Sequence, residues 1–351
     1  MLVDLANQSA ADGHGVSVCL IYPGDELAGA LRKGIQIWKL NCVDGSESPA
    51  MSRFTQIVTR SGATILHVHG RAALKLLWEG NAKYPVRTPV VFHDHFGGIE
   101  TDASIAPWFR SCGSKLVSHY VGVCARLGVW AEDAGVAKQR ISVIENALDL
   151  SRLTEGPATD VRSELGIAEE VPLGIVVGGL RPNKGLDVLL DAMARLVPRW
   201  SFKILVAGGT RDREYVEVCR RKIQQLGLGQ HILMLGERRD VLGVLRSVDF
   251  AVHPARSESG PLVLIEYAAN AVPLVASRAG DISQRLEAWG IPEFVPPGDA
   301  AALAAALERL LSLSPGERKQ RGDLGREVAL REFDIRNRMS RWYEIYKQAA
   351  G

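Results

Sequence analysis

Long apolar runs are missing from this 351-residue chain. No stretch of about twenty apolar residues occurs, so nothing in it reads as a membrane span. The N-terminus also lacks a basic segment leading into an apolar one. It does not read as a secretory signal, and a cytoplasmic protein is expected. Cysteine is sparse. Cys19, Cys42, Cys112, Cys124 and Cys219 are scattered without C-x-x-C spacing, which argues for reduced thiols and against a zinc site. An excess of one charge is lacking as well. The net charge is +2 and no basic stripe is evident, so a role on nucleic acid is not expected. Three ligand loops are absent. Without G-x-x-x-x-G-K-[ST] there is no Walker A loop, without G-x-G-x-x-G a nicotinamide dehydrogenase is disfavoured, and without G-x-S-x-G so is an α/β-hydrolase.

What is present is ample apolar material, 46% of the chain, at a length that suits two domains. Short apolar runs alternate with helix-like or loop segments throughout. In the first half the runs are Val16 to Ile21, Ile35 to Leu40, Thr64 to Val68, Val90 to His93, Tyr120 to Cys124 and Ile141 to Ile144. In the second half they are Leu173 to Val177, Lys203 to Ala207, Ile232 to Leu235, Phe250 to His253, Leu274 to Ala276, and Phe294 with Val295. This alternation predicts two parallel, doubly wound α/β sheets, each buried on both faces. Residues 1–12 read as a helix ended by Gly13-His14-Gly15. Leu186, Leu189, Leu190, Met193 and Leu196 share helical spacing, Ala300 to Leu313 is a helix with Asp299 as its cap, and Ile335 to Ala349 forms the last helix. The polar stretch from Leu153 to Glu170 holds Gly156 and Pro157 and reads as the boundary between the domains.

Ligands of doubly wound sheets sit beyond the carboxyl ends of the strands. Three histidines, His69, His93 and His95, fall at such ends in the first half. In the second half, Gly178-Gly179-Leu180-Arg181-Pro182-Asn183-Lys184-Gly185 leads from a strand through a glycine pair and a basic loop into a helix. Glycine lets a backbone approach a ligand, while Arg181 offers a planar fork and Lys184 a point charge, a combination that suits a diphosphate. The stretch Val252 to Ser277 is the most informative. Gly260 is expected as N-cap and Pro261 as the first residue of a helix. Free backbone N–H groups at Leu262 and Val263 make an anion site there. Glu258 and Glu266 flank it as acceptors for hydroxyls, and a sugar attached to a phosphate offers both partners.

These residues resemble the E-x7-E signature of retaining glycosyltransferases of family 4, enzymes of the two-domain GT-B fold. Pro254, Glu258, Glu266, Ala269, Pro273, Val275 and Ala276 stand in register with that signature, and Ala271 departs where the family usually has glycine. Lys184 and Gly185 match the phosphate loop. Gly179 occupies the family's arginine position, with Arg181 two residues later. Asn146 and Asp149 match the passage into the linker, where Ala147 replaces a glycine. The helix, Gly-His-Gly stop and strand at the start resemble the second unit of the family's N-terminal domain. A first strand and glycine loop normally precede it, so that domain is expected to lack its usual first strand.

The resemblance implies two Rossmann-like domains facing a cleft: residues 1–153 on the acceptor side, 154–331 binding a nucleotide sugar, and a helix within 332–351 crossing back to the N-terminal domain. It implies a retaining, metal-independent hexosyltransferase without a cofactor, taking a UDP- or GDP-sugar to a glycan or lipid-linked acceptor. A peripheral contact with the inner face of a membrane is compatible with that work. Arg181 and Lys184 would hold the diphosphate with the N–H groups of Leu262 and Val263 beside Gly260. Glu266 would bind the ribose, Glu258 the transferred sugar, and Gly236 would border the base. His93 would lie near the donor phosphate or the acceptor. The competing expectation is a catalytically degraded relative that binds a nucleotide sugar or a partner without transfer. The missing first strand, Gly179 and Ala271 favour it.

Overall fold

The structure is a computed structural model and describes residues 1–24, 28–42, 47–210, 212–291 and 293–351. It divides into two compact units, one of Met1–Leu148 with Ile335–Gly351 and one of Asp149–Asp334.

The second unit carries a six-stranded parallel sheet. Its strands are β7 (Leu173–Val177), β8 (Lys203–Ala207), β9 (Ile232–Gly236), β10 (Phe250–His253), β11 (Leu274–Ser277) and β12 (Phe294–Val295), in spatial order β12-β11-β10-β7-β8-β9. β10 and β11 are buried at every residue, as expected of strands covered on both faces. The chain therefore grows outward from β7 through β8 to β9, then returns to the other side of β7 and grows outward again. The order reverses between β7 and β10. Leu189, Met193 and Leu196 of the helix Leu186–Leu196 and Leu303 and Leu307 of the helix Ala300–Leu311 join Ile204, Val206 and Phe250 in one core. Asp299 caps the latter helix as expected, accepting from the Ala302 N–H at 2.8 Å.

The first unit has two separate parallel sheets. One holds β3 (Leu66–His69), β4 (Val90–Asp94), β5 (His119–Gly122) and β6 (Ile141–Val143) in that order; the other holds only β1 (Ser17–Leu20) and β2 (Gln36–Lys39). Among the described residues, no ladder joins β1 or β2 to β3. The helix Leu2–Ala11 precedes β1. Ile335 returns to this unit by donating its N–H to the Leu148 carbonyl at 2.9 Å. The helix Met339–Ala350 then buries Trp342 and Ile345 completely beside Val91, Val121 and Ile144. Burial of each such side chain contributes about 2 kcal/mol.

Pro315–Glu332 is a helix that apolar periodicity did not signal. Its buried residues are mainly glycine, alanine and valine: Gly322, Gly325, Val328 and Ala329. A Cβ at Gly322 would overlap the Ala271 carbonyl oxygen, so glycine permits the close packing of this helix on the end of the helix Leu262–Ala269. Ala271 itself is left-handed, with φ 56°. Glycine suits that conformation, and alanine is strained in it. Ala271→Gly is therefore expected to stabilise the second unit by about 1 kcal/mol, read as a higher urea midpoint at unchanged slope. A midpoint at or below that of the unsubstituted chain would show the strain to be absent. Ala147, the other alanine in a family glycine position, has no positive φ and is fully buried, so its methyl fits there.

Candidate active site

The loop after β7 and the loop after β10 meet where the strand order reverses, the place at which a doubly wound sheet opens a crevice for ligands. A backbone bond and a side-chain bond join them. The Asn183 carbonyl accepts from the Arg256 N–H at 2.8 Å, and Asn183 Nδ2 reaches the Ser257 carbonyl at 3.5 Å. Gly185 has φ 68°, and a Cβ there would overlap the Pro254 carbonyl oxygen. Only glycine allows this approach, which brings Lys184 over the β10 loop. Arg256 then grips Asp187 with both guanidinium nitrogens at 2.7 and 2.6 Å, while Tyr215 donates its hydroxyl to the same carboxylate at 2.6 Å.

Lys184 Nζ donates to Glu258 Oε1. Glu258 is 5% exposed, and its Oε1 also lies 3.3 Å from His253 Nε2. Burial pushes the carboxyl up, but His253 and Lys184 outweigh it and hold the group below the usual carboxylate range. Glu258 is thus an anion kept charged inside the protein by two basic neighbours. His253 went unremarked in the sequence, although it ends a strand just as His69, His93 and His95 were noted to do.

The helix beside this pair runs Leu262–Ala269 with Pro261 as N-cap, one residue later than the expected start. Pro261 has φ −67° and ψ 102°, so the backbone is still extended there and turns helical only at Leu262. First-turn N–H groups such as those of Leu262 and Val263 have no partner within a helix and carry its positive dipole end. Gly260 is buried and precedes this turn. Gly280, with φ 75°, comes in from the β11 loop; a Cβ there would stand 2.8 Å from the Ser259 carbonyl oxygen. Glu266 is half-buried on the second turn. Tyr267, fully buried, accepts the Val177 N–H at 2.8 Å and ties the helix to the end of β7.

Beyond β7, Gly178 and Gly179 pack on the β8 loop. The Leu180 N–H donates to the Gly209 carbonyl at 2.9 Å and the Gly208 N–H to the Gly236 carbonyl at 2.8 Å. Gly236, with φ 70°, ends β9. Arg181 is exposed at the start of the turn Pro182–Lys184. Lys184, Glu258, Gly260, Leu262 and Val263 are therefore held at one end of the sheet by β7, β10 and the helix after β10. Gly236 sits two strands to the side of β7.

In the first unit the histidines form a group of their own. His67 and His69 on β3 and His93 and His95 at the end of β4 pack together with ring centroids 4.0–5.3 Å apart, His69 stacking on His67 and on His95 and the other pairs tilted. His67 Nδ1 meets Tyr346 Oη at 2.8 Å, and its Nε2 meets His93 Nδ1 at 3.2 Å. His69 Nδ1 meets His95 Nε2 at 3.1 Å. Burial first, and then the neighbouring imidazoles, push His67 down to about 3; His69 and His93 are also pushed well below the usual histidine range. His95 is pushed down to about 4 by burial, against the pull of Asp94. The sequence reading singled out His93, whose ring is fully buried among these histidines. His67, which completes the group, was read only as part of the strand end.

Residues 158–328 match the family model described as Glycosyl transferases group 1, and residues 1–152 match the one described as Glycosyltransferase Family 4. The D-inositol 3-phosphate glycosyltransferase of Nocardia farcinica is 30% identical over 188 residues, 50% of this chain and 41% of that protein. The protein of the same name from Mycolicibacterium smegmatis is 26% identical over 301 residues, 78% of this chain and 65% of that one. The chain spans about half the length of the curated relatives it matches. Anabaena Alr3699/HepE, solved in complex with UDP and glucose, superposes with a TM-score of 0.81 at 19% identity, covering 98% of this chain and 94% of that one. Sucrose-phosphate synthase from Thermosynechococcus elongatus gives 0.79 at 20% identity, covering 98% and 91%. At such identities the structural likeness speaks for the fold. With one family model on each half and two Rossmann-like units of parallel sheet beneath them, the chain belongs to glycosyltransferase family 4 and has the GT-B fold.

Proposed function

We propose that this protein transfers a sugar from a uridine diphosphate donor to a phosphate-bearing polyol, with retention at the anomeric carbon. The observation that carries the reading is the Lys184–Glu258 pair at the strand-order reversal of the second unit, beside the start of the helix Leu262–Ala269. A departing nucleoside diphosphate gains negative charge. Lys184, Arg181 and the N–H groups of Leu262 and Val263 supply the opposing charge from fixed positions, which is the main electrostatic demand of the step. Because the protein brings these cations itself, we assign no metal ion to this step.

Glu258 accepts hydroxyls of the transferred sugar, and Glu266 those of the ribose. Held charged against Lys184 and His253, Glu258 serves as an acceptor and not as an attacking nucleophile. Transfer then proceeds by displacement on one face, with the acceptor oxygen entering on the side from which the diphosphate leaves. Gly236 borders the base. The uracil base follows the complexes of Alr3699/HepE with UDP and UDP-glucose. The phosphorylated polyol follows the name of the inositol phosphate relatives.

The test incubates the chain with UDP-glucose and inositol 3-phosphate in the presence of EDTA. Release of UDP with formation of an α-linked product is expected. No product across a panel of UDP- and GDP-sugars would leave the degraded relative as the reading, and a β-linked product would sink retention.

A further inference from the structure

The histidine group of the first unit has no part in that reading, and its chemistry is that of a metal site. We propose that His67, His69 and His93 form a binding site for a divalent zinc-class cation. One nitrogen from each ring can be chosen so that all three lie within 4.8 Å of one another. The parallel register places them well. His69 pairs directly with His93 across β3 and β4, and His67 stands two residues earlier on the same face of β3. Their separation is close to that of ligands on a metal. His67 Nε2 and His93 Nδ1 stand 3.2 Å apart, and two nitrogens at zinc-bond length on a tetrahedral ion stand about 3.4 Å apart.

In this arrangement His93 ligates through Nδ1, and its ring is fully buried. The surroundings supply the outer partners that metal-binding imidazoles need for orientation. Tyr346 Oη meets His67 Nδ1 at 2.8 Å, and His95 Nε2 meets His69 Nδ1 at 3.1 Å. Trp342 covers His67 and His93 at 4.8 and 4.7 Å between centroids. His67 and His69 are only half-buried, which leaves a way in. Three neutral imidazoles favour zinc, cobalt, nickel or copper over magnesium or calcium, which take oxygen ligands. With three protein ligands, the fourth position remains open to water.

The test titrates Zn2+ and Co2+ into the EDTA-treated full chain. One equivalent per chain is expected, with visible Co2+ bands of a four- or five-coordinate site and a raised melting temperature. His67→Ala, His69→Ala and His93→Ala should each weaken Zn2+ at least tenfold, while His231→Ala, in the second unit, should not. Lys184→Ala should bind Zn2+ as the unsubstituted chain does, so a failure of the sugar-transfer reading leaves this result intact. No uptake by the unsubstituted chain at micromolar Zn2+ would overturn the site and leave the four rings as a hydrogen-bonded group. Uptake that survives all three substitutions would overturn it as adventitious. Should a variant fail to fold, X-ray absorption on the unsubstituted chain decides, because fewer than three imidazole ligands excludes the assignment.

Discussion

Lys184→Ala is expected to lower kcat/KM for transfer about a thousandfold, or about 4 kcal/mol of transition-state stabilisation. The structure holds the ammonium directly against Glu258, and the proposed step builds charge on the diphosphate beside it. Most of the loss should fall on kcat, because charge grows as the bond breaks and an interaction that strengthens there is lost from the transition state. Glu258→Gln keeps the size of the side chain, removes its charge, and should cost about a hundredfold. The two groups touch, so their effects should not add. The double variant is expected near the worse single one.

Stability must be followed in the same samples. Without Lys184, the buried carboxylate keeps only His253 among the two basic neighbours that hold it down, and its pKa should rise. A Lys184→Ala chain that folds and turns over within threefold of the original would remove Lys184 from the mechanism and with it the central support for the donor site.

Gly185→Ala is expected to destabilise the second unit by about 4 kcal/mol. Two costs combine. The left-handed conformation at φ 68° strains any side chain by about 1–2 kcal/mol. The added methyl would also overlap the Pro254 carbonyl oxygen, which is backbone and cannot rotate away. Forcing such overlap costs about 1–3 kcal/mol. Gly227 provides the control, since it has nearly the same angle, φ 67°, and open space where the methyl would go. Gly227→Ala should therefore show the strain alone, about 1 kcal/mol. Urea unfolding of the two variants reads the difference directly. Equal losses would mean that the β7 and β10 loops can part without cost, and the rigid placement of Lys184 would fall with them. If they cannot part, Gly185→Ala should also impair donor binding, because shifting the loop moves Lys184.

The strands of the second unit could be read residue by residue. β7, β8, β10 and β12 begin and end where the apolar runs do, because a strand buried on both faces must be apolar throughout. The helix Pro315–Glu332 could not be read this way. Its packing face uses Gly322 and Gly325, and close backbone approach leaves no apolar period to detect. Nor could the separation of β1 and β2 from β3 be read, since each strand looks the same in sequence whether or not its neighbour joins the ladder.

The site divides along the same line. Lys184, Glu258 and the helix start at Leu262 carry their chemistry in residue type and local spacing, and the sequence announced them. The contact between Lys184 and Glu258, the third partner at His253 and the left-handed turn at Ala271 appear only once the chain is folded. So do the partnership of His67 with Tyr346 and the burial of His93. Periodicity and turn chemistry act over a few residues and leave a local trace. Which loops meet depends on strand order, and here a return across β7 brings together side chains 74 positions apart. No short window of sequence records that crossing, so the pair of charges was legible as two residues and became a site only in three dimensions.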